Sequence, residues 1–182
     1  TRYIGDWSSD VCSSDLVVLS SLFAALIFFG FPQPAHAEIS PMIAALPGFK
    51  ALFGGTRPTD IGVKAGQLKA CPKSPNCVVS QGDTDAEHAI APLSYTGDAA
   101  AAMTTLRQVI EAQDGSAVIE QTDTYLYAEF TSKLMGYVDD VEFYLPTDAA
   151  GTVHVRSAAR LGQSDLGVNR KRIEAIRSAF SA

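Results

Sequence analysis

The sequence predicts an α+β domain, a two-layer sandwich in which two helices flank an antiparallel sheet of roughly four strands. Helical patterns bracket the strand region, one after Asp98 and one after Ser164 or Asp165. Between them, connections too short for parallel crossovers join four runs with strand character, at residues 117–121, 124–131, 137–145 and 152–160. Because one face of this sheet is apolar, the two helices are expected to cover it.

Residues 1–16 are interpreted as a sequencing-adapter artefact. The stretch "DWSSDVCSSDL", residues 6–16, matches the translation of a common adapter oligonucleotide, and the chain does not begin with Met. Trp7 and Cys12 therefore receive no functional role.

Residues 17–37 are predicted to be a truncated export signal. They contain an apolar run of about 14 residues, followed by prolines and a small-x-small triplet that suits cleavage after Ala37. Pro32 and Pro34 come too early for a membrane span of roughly 18–20 apolar residues. Membrane association is expected only if this signal stays uncleaved. The predicted location is the periplasm or the extracellular space.

The charge balance of residues 38–182 argues against nucleic acid as a partner. Without residues 1–16, 13 basic and 17 acidic side chains remain. A nucleic-acid-binding domain of this size usually carries a basic surface. A small anionic or polar ligand, or a protein partner, is the expected alternative.

Residues 38–70 are rich in glycine and proline and show little periodicity, which predicts a linker or an arm lying on the domain. Cys71 and Cys77 follow in "CPKSPNC". In an exported protein an even pair at this spacing predicts a disulfide. A metal site would need further ligands nearby, and a redox-active pair usually has C-x-x-C spacing. No metal ion or cofactor is predicted.

Periodicity assigns faces to the helices and strands. After the N-cap candidate Asp98, apolar residues recur at helical spacing until Asp114 and Gly115 supply a stop. In the strands, apolar positions alternate with polar or tyrosine positions, as in "LYAEF" of residues 126–130. In the last helix one face is predicted to carry Leu166, Asn169, Ile173, Ile176 and Phe180.

Charged residues concentrate around the last two strands and the last helix. Folding the hairpin at its "PTDAAG" turn places Asp140 and Glu142 opposite or diagonal to Arg156. A solvated salt-bridge ladder and an anion-binding or polar ligand-binding surface both fit this pattern.

Asp139 falls on the predicted core side of its strand, so it needs a partner there. Arg170, Arg172 or backbone N–H groups of the "LGQSDLG" turn could serve. The cluster is expected to anchor the corner between strand and helix and to supply the candidate binding residues, which are Asp139, Asp140, Glu142, Arg156, Arg160, Asp165, Asn169, Arg170 and Arg172.

Three separated motifs resemble those of the family called domain of unknown function 1499, and the resemblance assigns residues 71–182 to that domain. "CPKSPNCVVSQ" is similar to the pattern C-P-x-S-P-N-C-V-S-S except at Val79, and "DDVEF" of residues 139–143 fits completely. "RSAARLGQSDLGVNRKR" fits R-S-x-S-R-x-G-x-x-D-x-G-x-N-R-x-R except at Ala159. The family has no established activity, so the resemblance implies no function for this chain. Its occurrence in photosynthetic eukaryotes implies the thylakoid lumen as an alternative location.

Three functions fit these observations. The favoured one is a non-catalytic binding or accessory protein that uses the Asp/Glu/Arg surface. The second is a small hydrolase or lyase in which Asp139, Asp140 or Glu142 transfers protons while Arg156 or Arg160 holds an anionic substrate. The common catalytic motifs G-x-S-x-G, H-E-x-x-H, the P-loop and G-x-G-x-x-G are missing, which argues against an enzyme. The third is a structural assembly factor that uses the arm and exposed tyrosines as contacts.

Overall fold

A computed structural model describes residues 53–82 and 84–181. The predicted adapter artefact, the predicted export signal and residues 38–52 of the arm lie outside this part of the chain. The described helices and strands are β1 (Cys77–Val79), β2 (Leu93–Ser94), α1 (Ala99–Glu111), β3 (Ser116–Gln121), β4 (Tyr125–Thr131), β5 (Val138–Tyr144), β6 (Thr152–Ala159) and α2 (Val168–Phe180).

The strands form one antiparallel sheet with the order β1-β6-β5-β4-β3, and β2 pairs with the other end of β6. The α+β class is therefore confirmed, but the sheet has six strands rather than the predicted four. The two additional strands have three and two residues, too few to show alternation in the sequence. They extend the sheet beyond β6 and make β6 an interior strand.

The first helix begins and ends as its sequence predicts. The Asp98 side chain accepts a hydrogen bond from the backbone N–H of Ala101 at 2.9 Å, which satisfies one of the free donors at the helix start. Gly115 follows the helix with φ +73°, where a Cβ atom would collide with the backbone oxygen of Thr131. Glycine is therefore required for the chain to turn directly into β3.

The last helix starts later than predicted. Gly167, with φ +77°, occupies the N-cap position, so Leu166 precedes the helix in a turn and is 87% exposed. Its predicted place on the buried face is therefore wrong. Asn169, Ile173 and Ile176 are fully buried, as predicted.

The main hydrophobic core lies between the helices and one face of the sheet. β4, β5 and β6 contribute inward-facing residues such as Leu126, Phe143 and Val155, and the helices contribute Leu106 and Ile173. All of these side chains are fully buried. This alternation confirms the predicted apolar face.

Residues 53–70 of the arm cover the opposite face. Leu68 of this segment is buried in a second apolar cluster with Val79, Tyr125 and Tyr127 of the sheet. The predicted disulfide between Cys71 and Cys77 is present and ties the end of the arm to the start of β1. In the described part of the chain, neither helix combines the length and apolarity needed to cross a membrane. The sheet is thus covered on both faces, by helices on one and by the arm on the other.

Candidate functional site

The pairing of β5 with β6 places Glu142 directly opposite Arg156, which is one of the two arrangements predicted for this hairpin. Glu142 is fully buried and accepts hydrogen bonds from Arg156 Nη1 at 3.1 Å, Tyr125 OH at 3.0 Å and the backbone N–H of Gly62 at 2.7 Å. Because Gly62 belongs to the arm, the arm itself closes over this carboxylate. The alternative of a solvated salt-bridge ladder is therefore wrong for this pair.

A second ion-pair cluster lies beside it on the same face. Arg160 donates to Asp140 through Nε at 2.9 Å and Nη2 at 2.7 Å, and Nη2 also contacts Glu129. Arg57 of the arm reaches the same Glu129. Burial would raise the pKa of Glu129, but hydrogen bonds from Arg57 and Arg160 outweigh it and lower that pKa to about 2. Glu129 therefore stays ionised beneath the arm.

Two tyrosines complete these clusters. Tyr125 donates to Glu142 and Tyr127 donates to Asp140 at 2.5 Å. Burial raises the pKa of both hydroxyls, and the carboxylates that they contact raise it further. Both therefore remain protonated donors, so the face beneath the arm is a closed network of ion pairs and hydrogen bonds. We call it the arm-face network and define it by Arg57, Glu129, Asp140, Glu142, Arg156 and Arg160 together with Tyr125 and Tyr127.

Asp139 faces the other side of the sheet. Its carboxylate pairs with Arg172 of α2 at 2.5 Å, and the Arg172 guanidinium lies 4.7 Å from the centre of the Phe130 ring. Burial raises the pKa of Asp139, and the charge of Arg172 offsets part of that shift. Of the candidate partners for Asp139, Arg172 is therefore the one that forms the ion pair. Arg170 instead donates to the backbone oxygen of Glu87.

Asn169 links this pair to the start of β1. Its Oδ1 accepts from Arg172 and from Ser157 Oγ, and its Nδ2 donates to the backbone oxygen of Asn76 at 3.1 Å. The Asp165 side chain accepts from the backbone N–H groups of Gly167 and Asn169, so it fixes the turn that leads into α2. These contacts support the predicted anchoring role at the corner between strand and helix.

The predicted binding residues therefore do not form one surface. The sheet separates Asp140, Glu142, Arg156 and Arg160 from Asp139 and Arg172. Alternation along β5 predicts that Asp139 lies on the opposite face. The sequence does not distinguish Arg170 from Arg172 as its partner, because the start of α2 was predicted too early.

The sequence interpretation missed several members of the arm-face network. Tyr127 and Glu129 alternate in phase on β4, so the sequence indicates that they share a face but does not predict them as site residues. Arg57 and Gly62 lie in a segment without periodicity, so no pattern in the sequence pointed to them.

A wide cleft in the described part of the chain borders the arm-face network. This cleft has a volume of about 750 Å³ and lies between the arm and the strands β3, β4 and β5. Its walls combine apolar side chains, aromatic rings and two exposed charges, and the lining includes Arg57, Thr59, Ile61, Val63, Ile119, Glu120, Tyr125, Tyr127 and Tyr144. Such a mixture can hold an organic molecule that carries both ring surface and polar groups.

Metal-ligating side chains do not gather in the described ranges. No group of three or more His, Cys, Asp or Glu side chains within residues 53–82 and 84–181 could hold a metal ion. The carboxylates of the arm-face network are instead saturated by arginine and tyrosine donors.

Comparison with known proteins identifies the domain. Neither the curated proteins nor the solved structures gave a match. A family model described as "Protein of unknown function (DUF1499)" matches residues 67–180, a range that holds the β1 disulfide loop, the DDVEF strand and the arginine-rich corner. The chain therefore belongs to the DUF1499 family.

Proposed function

We propose that this protein is a non-catalytic binding domain that holds a small polar or anionic organic ligand in the cleft between the arm and the sheet. The observation that carries the proposal is the cleft itself, whose volume of about 750 Å³ lies within the range of small-molecule sites. Tyr125, Tyr127 and Tyr144 line its sheet side and Arg57 lines its arm side. Aromatic rings offer contact area, while hydroxyl and guanidinium groups fix the orientation of a polar ligand.

The state of the carboxylates supports binding without turnover. A general acid or base must reach the proton that it transfers. Glu142 is fully buried, and Asp140 is 3% exposed. Both are held by arginine and tyrosine donors, so neither is free to exchange protons with a substrate in the cleft.

The hydrolase or lyase alternative retains one candidate group. Asp139 has a raised pKa and lines a separate cavity of about 560 Å³, two properties that are typical of a general acid. However, Arg156 and Arg160, which that hypothesis assigned to hold the substrate, lie on the opposite face of the sheet. Asp139 is also paired with Arg172. The geometry thus favours binding over catalysis.

We place this binding function outside the cytoplasm. The Cys71–Cys77 disulfide supports an oxidising compartment, because such bonds are rare in the cytosol. The signal-like composition of residues 17–37 supports export to the periplasm or the extracellular space, with the thylakoid lumen as the alternative.

A ligand screen tests the proposal. The melting temperature of the purified protein is measured with a panel of carboxylated, phosphorylated and aromatic polar compounds. Thr59→Trp places a large side chain in the cleft, and Thr104→Trp on the exposed side of α1 is the matched control. A ligand present at 100 times its Kd stabilises the folded state by about 2.7 kcal/mol.

The proposal expects a compound that stabilises the wild type and the Thr104→Trp control but not Thr59→Trp. It fails if every stabilising compound acts equally on all three proteins, because such compounds do not use the cleft. It also fails if a stabilising compound is turned over and Asp139→Asn stops the turnover.

A further inference from the structure

Five of the six exposed large hydrophobic side chains among the described residues lie at one end of the domain. Two loops carry them, residues 132–137 between β4 and β5 and residues 160–168 from the end of β6 to the first residue of α2. The loops are neighbours, because the backbone N–H of Arg160 donates to the backbone oxygen of Val138 at 3.1 Å. Exposed apolar patches of this kind mark interaction surfaces. We call this one the loop-end patch and define it by Leu134, Tyr137, Leu161, Leu166 and Val168, each at least 41% exposed.

Leu166 is unfavourable for the fold on two counts. Its side chain is 87% exposed, so it adds almost nothing to the core. Its backbone has φ +55°, in the left-handed region where a residue with a side chain is strained. Glycine at this position would remove both the strain and the exposed apolar surface. A leucine held in this way is typical of a contact with something outside the chain.

The arm joins the domain at the same end. The ring of Phe53, the first described residue, lies 5.3 Å from the ring of Tyr137, and Gly55 lies against the side chain of Leu161. The apolar run within residues 17–37 precedes Phe53 in the sequence. The chain therefore leaves the domain beside the loop-end patch, towards the terminus that holds its most apolar segment.

Exposed lysines surround the loop-end patch. Lys133 and Lys171 stand next to its apolar residues on the two loops and the start of α2. Lys73 stands on the disulfide loop, which is fixed beside the patch by a hydrogen bond to the backbone oxygen of Gly162. Lys133 pairs with Asp114, whereas Lys73 and Lys171 form no ion pair within the described part of the chain. Their positive charges are therefore available to an anionic partner.

The acidic residues are distributed so that the two ends of the sheet differ. Near the patch, Asp114 is occupied by Lys133, and the carboxylate of Asp165 accepts from two backbone N–H groups. The turns at the opposite end, residues 122–124 and 145–151, each contain an aspartate and no basic residue. An anionic surface would therefore attract the end that carries the patch and repel the other.

We propose that the loop-end patch binds the surface of a lipid bilayer that carries anionic headgroups. Leu134 and Leu166 enter the boundary of the acyl chains, as apolar side chains of membrane-binding surfaces do. Tyr137 combines a ring with a hydroxyl group, which suits the interface between acyl chains and headgroups. Lys73 and Lys171 reach the lipid phosphates. A second copy of the chain fits less well, because it would bring the same lysines together.

This contact is independent of the ligand proposed for the cleft. It is also independent of the predicted export signal, to which the sequence alone tied any association with a membrane. Its elements are instead two loops of the folded domain.

Hydrogen exchange followed by mass spectrometry locates the contact in the full chain. The protein is exchanged alone, with vesicles of phosphatidylcholine, and with vesicles of equal parts phosphatidylcholine and phosphatidylglycerol. We expect the amides of residues 132–137 and 161–168 to exchange at least about fivefold more slowly with the anionic vesicles, because free loops are open to exchange. Residues 122–124 and 145–151 should keep their rates. Because the readout is local, vesicle binding by another segment does not imitate it.

Variants assign the contact to the apolar side chains of the patch. Leu166→Gly removes the side chain and also relieves the left-handed backbone, so it should fold as well as the wild type. Combined with Leu134→Ser, it should raise the lipid concentration needed for half-maximal protection at least about tenfold. Ile119→Ser is the matched control, since it removes the remaining exposed large hydrophobic side chain of the described residues, on β3 and outside the patch. It should leave the protection of both loops unchanged.

The wild-type measurement is decisive without any variant. Loops that exchange equally fast with and without anionic vesicles overturn the proposal, and equal protection by both kinds of vesicle overturns the role of the lysines. Protection that grows with protein concentration in the absence of vesicles, and that Leu166→Gly abolishes, would make a second copy the occupant. A loss of protection in Ile119→Ser as large as in the patch variant would also overturn the proposal, because the lipid would then contact β3 and the cleft.

Discussion

Replacing Glu129 with glutamine should remove much of the acid sensitivity of the folded protein. The ordinary pKa of this side chain is 4.5, and the hydrogen bonds from Arg57 and Arg160 lower it to about 2 in the folded state. Since the folded pKa lies below the unfolded one, the linked stability is fully present above about pH 4.5 and is lost as the pH falls towards 2. A shift of this size corresponds to roughly 3 kcal/mol, an upper bound because the side chain remains 15% exposed.

Urea denaturation of the wild type and of Glu129→Gln at pH 7, 5, 4 and 3 measures this contribution. The variant should be less stable at pH 7, and the gap in unfolding free energy should narrow steadily below pH 4.5. Glu111→Gln is the control, because Glu111 forms an exposed pair with Arg107 on α1. If the gap between wild type and Glu129→Gln stays constant from pH 7 to pH 3, the assignment of a strongly lowered pKa is refuted.

Three further changes probe other parts of the fold. Arg172→Ala leaves the buried Asp139 without its ion partner, so the free energy of unfolding, measured in urea, should fall by about 3–5 kcal/mol. A loss below about 1 kcal/mol would show that Asp139 is solvated. Cys71→Ser combined with Cys77→Ser should cost about 2 kcal/mol, as expected for a short disulfide loop, and the wild type should lose the same amount on reduction. Gly115→Ala should cost roughly 1–3 kcal/mol in the same assay because of its positive φ and the nearby strand, and an unchanged value would contradict the described turn.

Local patterns predicted the apolar face of the sheet and the hairpin of its last two long strands, β5 and β6. Alternation in β5 and β6, together with a short turn, was sufficient to place Glu142 near Arg156. The cap at Asp98 was equally readable, because its side chain bonds to a residue three positions along the chain. Each of these features depends on neighbours in the sequence or on a period of two.

Features that depend on distant or backbone contacts could not be predicted in this way. The arm contacts Glu142 through a backbone N–H at residue 62, which no side-chain pattern encodes. Leu166 lies outside α2 because Gly167 has a left-handed backbone conformation and α2 begins after it. Helical spacing of apolar residues does not reveal such a start, because the pattern continues across Gly167. The charged face is buried because the arm lies on it, and the sequence does not predict the position of the arm.

The hydrogen bond from Gly62 to Glu142 also affects how the sequence can diverge. Arg57 and Glu129 interact through side chains, so a change in one can be compensated by a change in the other. At residue 62 the donor belongs to the backbone and φ is +100°, so no exchange elsewhere can replace what glycine supplies there. Among related chains, Arg57 and Glu129 are thus expected to covary, whereas Gly62 should tolerate neither proline nor a β-branched residue whatever residue occupies position 142.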